Sequence, residues 1–184
     1  MNIYDALSKD HREFERLLDQ LLTASKANDD GWKGVLDELR RSVIAHAHAE
    51  EAVLYNALRD SDEAKGLVFH SYGEHAMAET EIRTLSAAKL LDANWTTLVE
   101  KFRKDLLHHI KEEESRVFDA ARKVIDDKEA TQLGAAFVAL KAQMAKDGDS
   151  MLASTVDLVI NLLPPRLSES LRAHAKAGRP AAKQ

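Results

Sequence analysis

Hydrophobic residues recur at steps of three and four positions along most of this chain, a spacing that predicts long amphipathic helices. The pattern divides into five helical segments, at about 3–26, 32–59, 63–89, 95–125 and 128–146. The first segment places Leu7, Phe14, Leu18 and Leu21 on one buried stripe. Short polar stretches separate the segments, and the aspartates within them can cap the helix that follows.

Four long helices joined by short turns are typical of an antiparallel up-down bundle. We therefore predict an all-α fold, an up-down four-helix bundle over residues 1–125, with additional C-terminal helices in an extension over residues 126–184. Pro164 and Pro165 would stop any helix formed by the apolar segment 151–163. The basic residues after that segment predict a mobile tail, because they have little to bury.

The C-terminal extension leaves several roles open. An apolar segment followed by basic residues can pack on its own bundle, form a homodimer contact, or meet a protein partner or a membrane surface. We expect a homodimer or a protein partner to use this part of the chain, if it does not pack on the bundle.

Composition and charge narrow the class of protein. The chain has 184 residues and a net charge of −5, which weighs against nucleic acid as a partner. It has no cysteine, which excludes disulfides and thiolate metal sites. The absence of cysteine is also compatible with a reducing cytoplasm, and we expect the protein in that compartment. The first residues lack a signal-peptide pattern, and every apolar run is too short to span a bilayer, so we predict no membrane span.

Each of the four long helices carries one histidine within its apolar stripe, and two of these histidines are followed four residues later by a glutamate on the same face. These candidate metal ligands are His11, His46, Glu50, His75, His109 and Glu113. Positions 11 and 75 are 64 residues apart, whereas the pairs 46/109 and 50/113 are each 63 apart. The sequence therefore predicts two similar helical hairpins related by a pseudo-twofold axis.

A bundle interior holding four imidazoles and two carboxylates would be strongly destabilised if these groups had no partners. Two metal ions would satisfy them, and a mixed imidazole and carboxylate donor set suits iron, manganese or zinc, of which we predict iron. Six protein ligands for two ions leave open coordination positions for a small molecule. The alternative is that these are core histidines satisfied by protein partners.

Four stretches of the sequence resemble the hemerythrin-like HHE cation-binding domain. They are "DHREF" at 10–14, "HAHAEEAVLY" at 46–55, "GEHAMAE" at 73–79 and "HIKEEESRVF" at 109–118. The resemblance covers about residues 1–125 and implies an up-down four-helix bundle around a non-haem di-iron centre. It further implies two iron ions (Fe²⁺/Fe³⁺) with an oxo or hydroxo bridge, held by the six candidate ligands, with Glu50 and Glu113 bridging.

One departure from the family pattern changes the expected function. Oxygen-carrying hemerythrins have a second histidine four residues from the one on the third helix, but Ser71 and Glu79 occupy those positions around His75. We therefore expect the centre to bind or sense O2, peroxide or NO rather than to carry oxygen. Glu79, Glu15 and His70 remain open as further ligands.

Three alternative functions remain. One is a di-iron redox enzyme that disproportionates hydrogen peroxide or reduces NO. Another is an iron- or oxygen-responsive regulator that signals through residues 126–184. The last is a helical interaction module without metal.

Overall fold

A computed structural model describes residues 1–27, 31–90, 94–147, 162–165 and 167–168. Over these ranges the chain is helical and contains no strand, which confirms the predicted all-α class. The helices are α1 (Ile3–Ala27), α2 (Trp32–Glu50), α3 (Asn56–Leu58), α4 (Lys65–Leu90), α5 (Trp95–Glu112), α6 (Phe118–Ala121) and α7 (Asp127–Asp147). None of the described helices combines the length and the apolar character needed to cross a membrane.

Two π-helical turns interrupt the second and fourth predicted helices. The first turn, Glu51–Tyr55, joins α2 to α3, and the second, Glu113–Val117, joins α5 to α6. A π-helical turn bonds residue i to i+5, so it rotates the following side chains relative to a regular α-helix. Hydrophobic periodicity predicted both helices as continuous, because one wider turn leaves the apolar stripe nearly intact.

The four long helices enclose a common interior. Helix α1 packs against α2 and α5, and α4 packs against the same two helices. The interior holds two buried apolar clusters at different levels. The first includes Leu7, Ala49, Val53, Val68, Val117 and Phe118. The second includes Phe14, Leu18, Val43, Ile82, Phe102 and Ile110.

The buried histidines and glutamates lie near the junction of these two clusters. On α1, His11 falls between Leu7 of the first cluster and Phe14 of the second. On α4, His75 falls between Val68 and Ile82 in the same way. The apolar layers above and below shield the polar layer from solvent, and burial raises the free-energy cost of any unpaired group within it.

Helix α7 packs on the outside of this arrangement, against α1, α2 and the first π-helical turn. Phe137 and Leu140 of α7 are buried within the first apolar cluster, and so are Leu163 and Leu167 further along the chain. The predicted apolar segment 151–163 and the predicted mobile tail lie largely outside the described residues. The domain boundary between residues 125 and 126 stays a prediction.

Candidate metal centre

All six candidate ligands lie in the polar layer, and each is at most 6% exposed. They form two groups of three, and within each group the potential ligand atoms lie within 4.8 Å of one another. The first group consists of His11, His46 and Glu113, and the second of Glu50, His75 and His109. Each group draws one residue from each of three different segments of the chain.

The two glutamates lie between the groups. Glu113 Oε2 is 3.3 Å from Nε2 of His11 and 3.6 Å from Nε2 of His109. Glu50 Oε2 is 3.5 Å from Nε2 of His46 and also 3.5 Å from Nε2 of His75. Each carboxylate therefore approaches one histidine of each group, which is the position from which a carboxylate can be shared by two cations.

On its outer side, each of the four histidines contacts a further carboxylate through Nδ1. The distances are 2.9 Å for His11 to Glu114, 3.0 Å for His46 to Asp10, 2.9 Å for His75 to Glu51 and 2.9 Å for His109 to Glu74. Since an ionised carboxylate only accepts hydrogen bonds, we assign the ring proton to Nδ1. With Nε2 deprotonated, each imidazole would present the Nε2 lone pair to the interior, as a metal-binding histidine does.

These outer carboxylates obey the same pseudo-twofold relation as the ligands. Asp10 and Glu74 each precede a histidine in sequence and bind the second histidine of their own half. Glu51 and Glu114 each follow a candidate ligand glutamate and bind a histidine of the other half. Sequence analysis did not single out Asp10 or Glu74. The signal was present, because each directly precedes an interior histidine and they are separated by the same 64 residues as those histidines.

Most of the inward-facing atoms lack a hydrogen-bond partner among the described residues. Among the described residues, no hydrogen bond reaches Nε2 of His11 or His46, or any carboxylate oxygen of Glu50 and Glu113. Nε2 of His75 lies 3.2 Å from Nε2 of His109, and with both protons on Nδ1 these two lone pairs cannot bond each other. Buried lone pairs and carboxylates directed at one another fit a pair of cations, which would satisfy all of them.

Four of the six candidate ligands have strongly opposing pKa shifts. Burial lowers the pKa of His11, but the Glu113 and Glu114 carboxylates outweigh it and raise the pKa to about 9. Burial lowers the pKa of His46 to about 4. Burial and then the Glu113 carboxylate raise the pKa of Glu50 well above its usual range. Burial alone would raise the pKa of Glu113, but His11 and then His109 hold it well below its usual range.

These shifts favour the protonated forms of Glu50 and His11 before a cation binds. A cation in this layer would displace these protons, since carboxylates and imidazoles bind metals in their deprotonated forms.

A cavity of about 290 Å³ adjoins the polar layer and is bounded by all four histidines. Its remaining wall is mainly apolar, with small side chains such as Ala47 and Ala76 beside Leu106 and Ile110. Tyr55 lies on the other side of His75. Its ring stacks on that imidazole with centroids 5.3 Å apart, and its hydroxyl lies 3.5 Å from His75 Nε2. Burial, and then the Glu50 and Glu113 carboxylates, raise the pKa of Tyr55 well above its usual range, so the phenol keeps its proton.

The three residues left open as further ligands do not belong to either buried group. Glu79 pairs with Arg83 at 2.7 Å, and its other oxygen is 3.7 Å from His48. Glu15 pairs with Arg12 at 2.6 Å. The side chain of His70 is 60% exposed and lies among surface carboxylates.

Comparison with known proteins agrees with this geometry. The family model described as "Hemerythrin HHE cation binding domain" matches residues 2–121. A DNA nickase from Nostoc sp. (strain PCC 7120 / SAG 25.82 / UTEX 2576) is 26% identical over 145 residues, which is 78% of this chain. The chain spans 40% of the length of that relative. No solved structure matches. Because the family match covers most of the chain and includes all six candidate ligands, the chain belongs to the hemerythrin HHE cation-binding family.

Proposed function

We propose that this protein binds two iron ions in the polar layer of an antiparallel up-down four-helix bundle. His11 and His46 would bind one ion, His75 and His109 the other, and Glu50 and Glu113 would be shared. The observation that carries the proposal is the set of buried Nε2 atoms and carboxylate oxygens that have no hydrogen-bond partner among the described residues. The donor set also suits manganese and zinc, and the family resemblance is the reason to place iron first.

We infer that the centre binds or senses O2, peroxide or NO. When bound, two irons would supply reversible redox chemistry and open coordination positions for such a molecule. The chain itself supplies the 290 Å³ cavity beside the histidines, large enough for a diatomic molecule or peroxide. The apolar side chains of Leu106 and Ile110 form part of the wall of this cavity. The Tyr55 hydroxyl, which keeps its proton, has its oxygen 3.5 Å from His75 Nε2.

A regulatory function is the second candidate, and contacts from α7 favour it. The ring of Phe137 meets the ring of His46 edge-on, with centroids 5.5 Å apart. Lys141 forms an ion pair with Asp10, whose other oxygen accepts the Nδ1 proton of His46. A change at His46 would therefore be transmitted to α7 through two side chains. An enzymatic function, peroxide disproportionation or NO reduction, remains an alternative.

DNA is not among the proposed partners, because the net charge of −5 opposes binding to a polyanion. The name DNA nickase is that of the Nostoc relative, and this chain covers 40% of the length of that protein.

The test adds NO, O2 or hydrogen peroxide to iron-loaded, full-length protein and follows the iron absorption spectrum. We expect one of these ligands to change the spectrum. Ala76→Phe, at an exposed position that borders the cavity, should slow this change, and Ala87→Phe, exposed elsewhere on α4, should not. If none of the three ligands changes the spectrum, the proposal is wrong. Many turnovers of peroxide or NO per chain would favour the enzyme, and an iron-dependent change in proteolysis of α7 would favour the regulator.

A further inference from the structure

A second cluster of histidines and glutamates lies at the surface of α4 and α5. It consists of two more His-x-x-x-Glu pairs, His70 with Glu74 on α4 and His108 with Glu112 on α5. His70 Nε2 is 3.5 Å from Glu74 Oε1 and 3.6 Å from Glu112 Oε2. His108 Nε2 is 3.9 Å from the same Glu112 oxygen. The side chains of the two histidines are 60% and 65% exposed, so the cluster is open to solvent.

The remaining oxygens of the two glutamates are already engaged. Glu74 Oε2 accepts the Nδ1 proton of His109, and Glu112 Oε1 accepts a hydrogen bond from Arg116. These bonds hold the carboxylates so that Glu74 Oε1 and Glu112 Oε2 both turn toward His70. The ligand atoms of His70, Glu74 and Glu112 lie within 4.8 Å of one another, and His108 also approaches the Glu112 oxygen. Imidazole and carboxylate donors together suit a divalent transition-metal cation.

The cluster is connected to the buried centre in two ways. Glu74 contacts His70 with one oxygen and His109 with the other, so a single carboxylate joins the two sites. A cavity of about 290 Å³ is bounded by His70, Glu74 and His108 at the surface and by His109 at the buried end. Glu81 also borders this cavity, and its Oε2 is buried without a hydrogen-bond partner among the residues described.

We propose that His70, Glu74, His108 and Glu112 form a surface site for a divalent transition-metal cation, from which the buried pair of sites is loaded. The loading step rests on the proposed function of the buried centre, whereas cation binding at the surface does not. A solvated network of ion pairs would show the same side chains but would bind no cation.

The experiment measures Zn²⁺ binding by equilibrium dialysis to full-length protein whose buried centre already holds oxidised iron. We expect one Zn²⁺ per chain in addition to the iron. His70→Gln combined with His108→Gln should weaken this binding at least about tenfold, which corresponds to 1.4 kcal/mol. His48→Gln, at a histidine that lies outside the cluster and is partly exposed, is the control and should leave Zn²⁺ binding unchanged. The same double variant should take up Fe²⁺ several-fold more slowly in stopped flow and still reach the wild-type final iron content.

The outcomes separate the surface site from the buried centre. The surface site is overturned if iron-loaded wild-type protein binds no additional Zn²⁺, or if the double variant binds Zn²⁺ as tightly as the wild type. Neither result would affect the proposal for the buried centre. Iron uptake at the wild-type rate in the double variant overturns the loading role. Protein that binds one cation at the surface and none inside would overturn the proposed function while supporting the surface site.

Discussion

Replacement of Glu50 by leucine should stabilise the metal-free protein and destabilise the iron-loaded one. Glu50 is fully buried, and within the described chain neither of its carboxylate oxygens has a hydrogen-bond partner. A stranded buried polar group costs about 1–3 kcal/mol, and leucine has a similar size without that cost. In the presence of a chelator, Glu50→Leu should therefore raise the free energy of unfolding by about 1–3 kcal/mol. For a chain of this length that corresponds to an increase in Tm of about 2–12 °C.

With iron bound, the wild type should instead be more stable than Glu50→Leu. An ion present at 100 times its Kd stabilises the native state by about 2.7 kcal/mol, so two ions contribute about 5.4 kcal/mol to the wild type. Glu50→Leu removes the ligand that we propose both ions share, and should lose most of this stabilisation. The wild type should then be more stable than the variant by about 2–4 kcal/mol, the difference between the two effects.

Urea unfolding followed by circular dichroism, with chelator and with iron, measures both differences. Glu38→Leu on the same helix is the control, because the side chain of Glu38 is 54% exposed and lies outside the centre. This control should leave the stabilisation by iron unchanged. The reasoning is refuted if Glu50→Leu is less stable than the wild type in chelator and gains as much stability from iron.

Three further predictions concern the surroundings of the centre. Asp10→Asn weakens the acceptor for the Nδ1 proton of His46 and should lower metal affinity about 10–100-fold, as measured by competition titration. Unchanged metal affinity would show that this hydrogen bond does not support His46 as a ligand. Phe137→Ala removes a buried ring packed on His46 and should cost about 3–5 kcal/mol in urea unfolding, and a cost below 1 kcal/mol would argue against this packing. Gly134→Ala would place a Cβ 2.6 Å from the backbone of Asn2 and should lower Tm. Gly66→Ala has open space around it and should raise the free energy of unfolding by about 0.5–1 kcal/mol. A Gly134→Ala variant more stable than Gly66→Ala would contradict the close approach of α7 to Asn2.

The helices and the burial of the six candidate ligands could be predicted from sequence because both depend on spacing. The predicted first helix at 3–26 is found at Ile3–Ala27, and the predicted fifth at 128–146 is found at Asp127–Asp147. A histidine one turn from Phe14 or Leu106 must share their buried face, so His11 and His109 could be placed inside the bundle without a structure.

The features that could not be predicted depend on contacts between distant parts of the chain. Glu114 reaches His11 across 103 positions of the sequence, and Lys141 reaches Asp10 across 131. No periodicity encodes such pairs. The two π-helical turns were also missed, because a turn that is one residue wider shifts the side chains that follow without breaking the hydrophobic pattern.

The surface cluster shows a further limit of sequence reasoning. His70 and His108 lie off the apolar stripes, and their spacing to Glu74 and Glu112 is also the spacing of an ordinary surface ion pair. Only the packing of α4 against α5 brings the two pairs together.

The iron content of the full-length protein tests the central claim most directly. Elemental analysis of iron-reconstituted protein, after removal of loosely bound metal, should give two irons per chain in the wild type and in His48→Ala, an exposed neighbour of His46. His46→Ala should lose at least one of these ions, and Glu113→Ala should lose both, since Glu113 approaches a histidine of each group. Wild-type protein that retains no iron, or Glu113→Ala that retains two, would contradict the account of a shared two-ion centre.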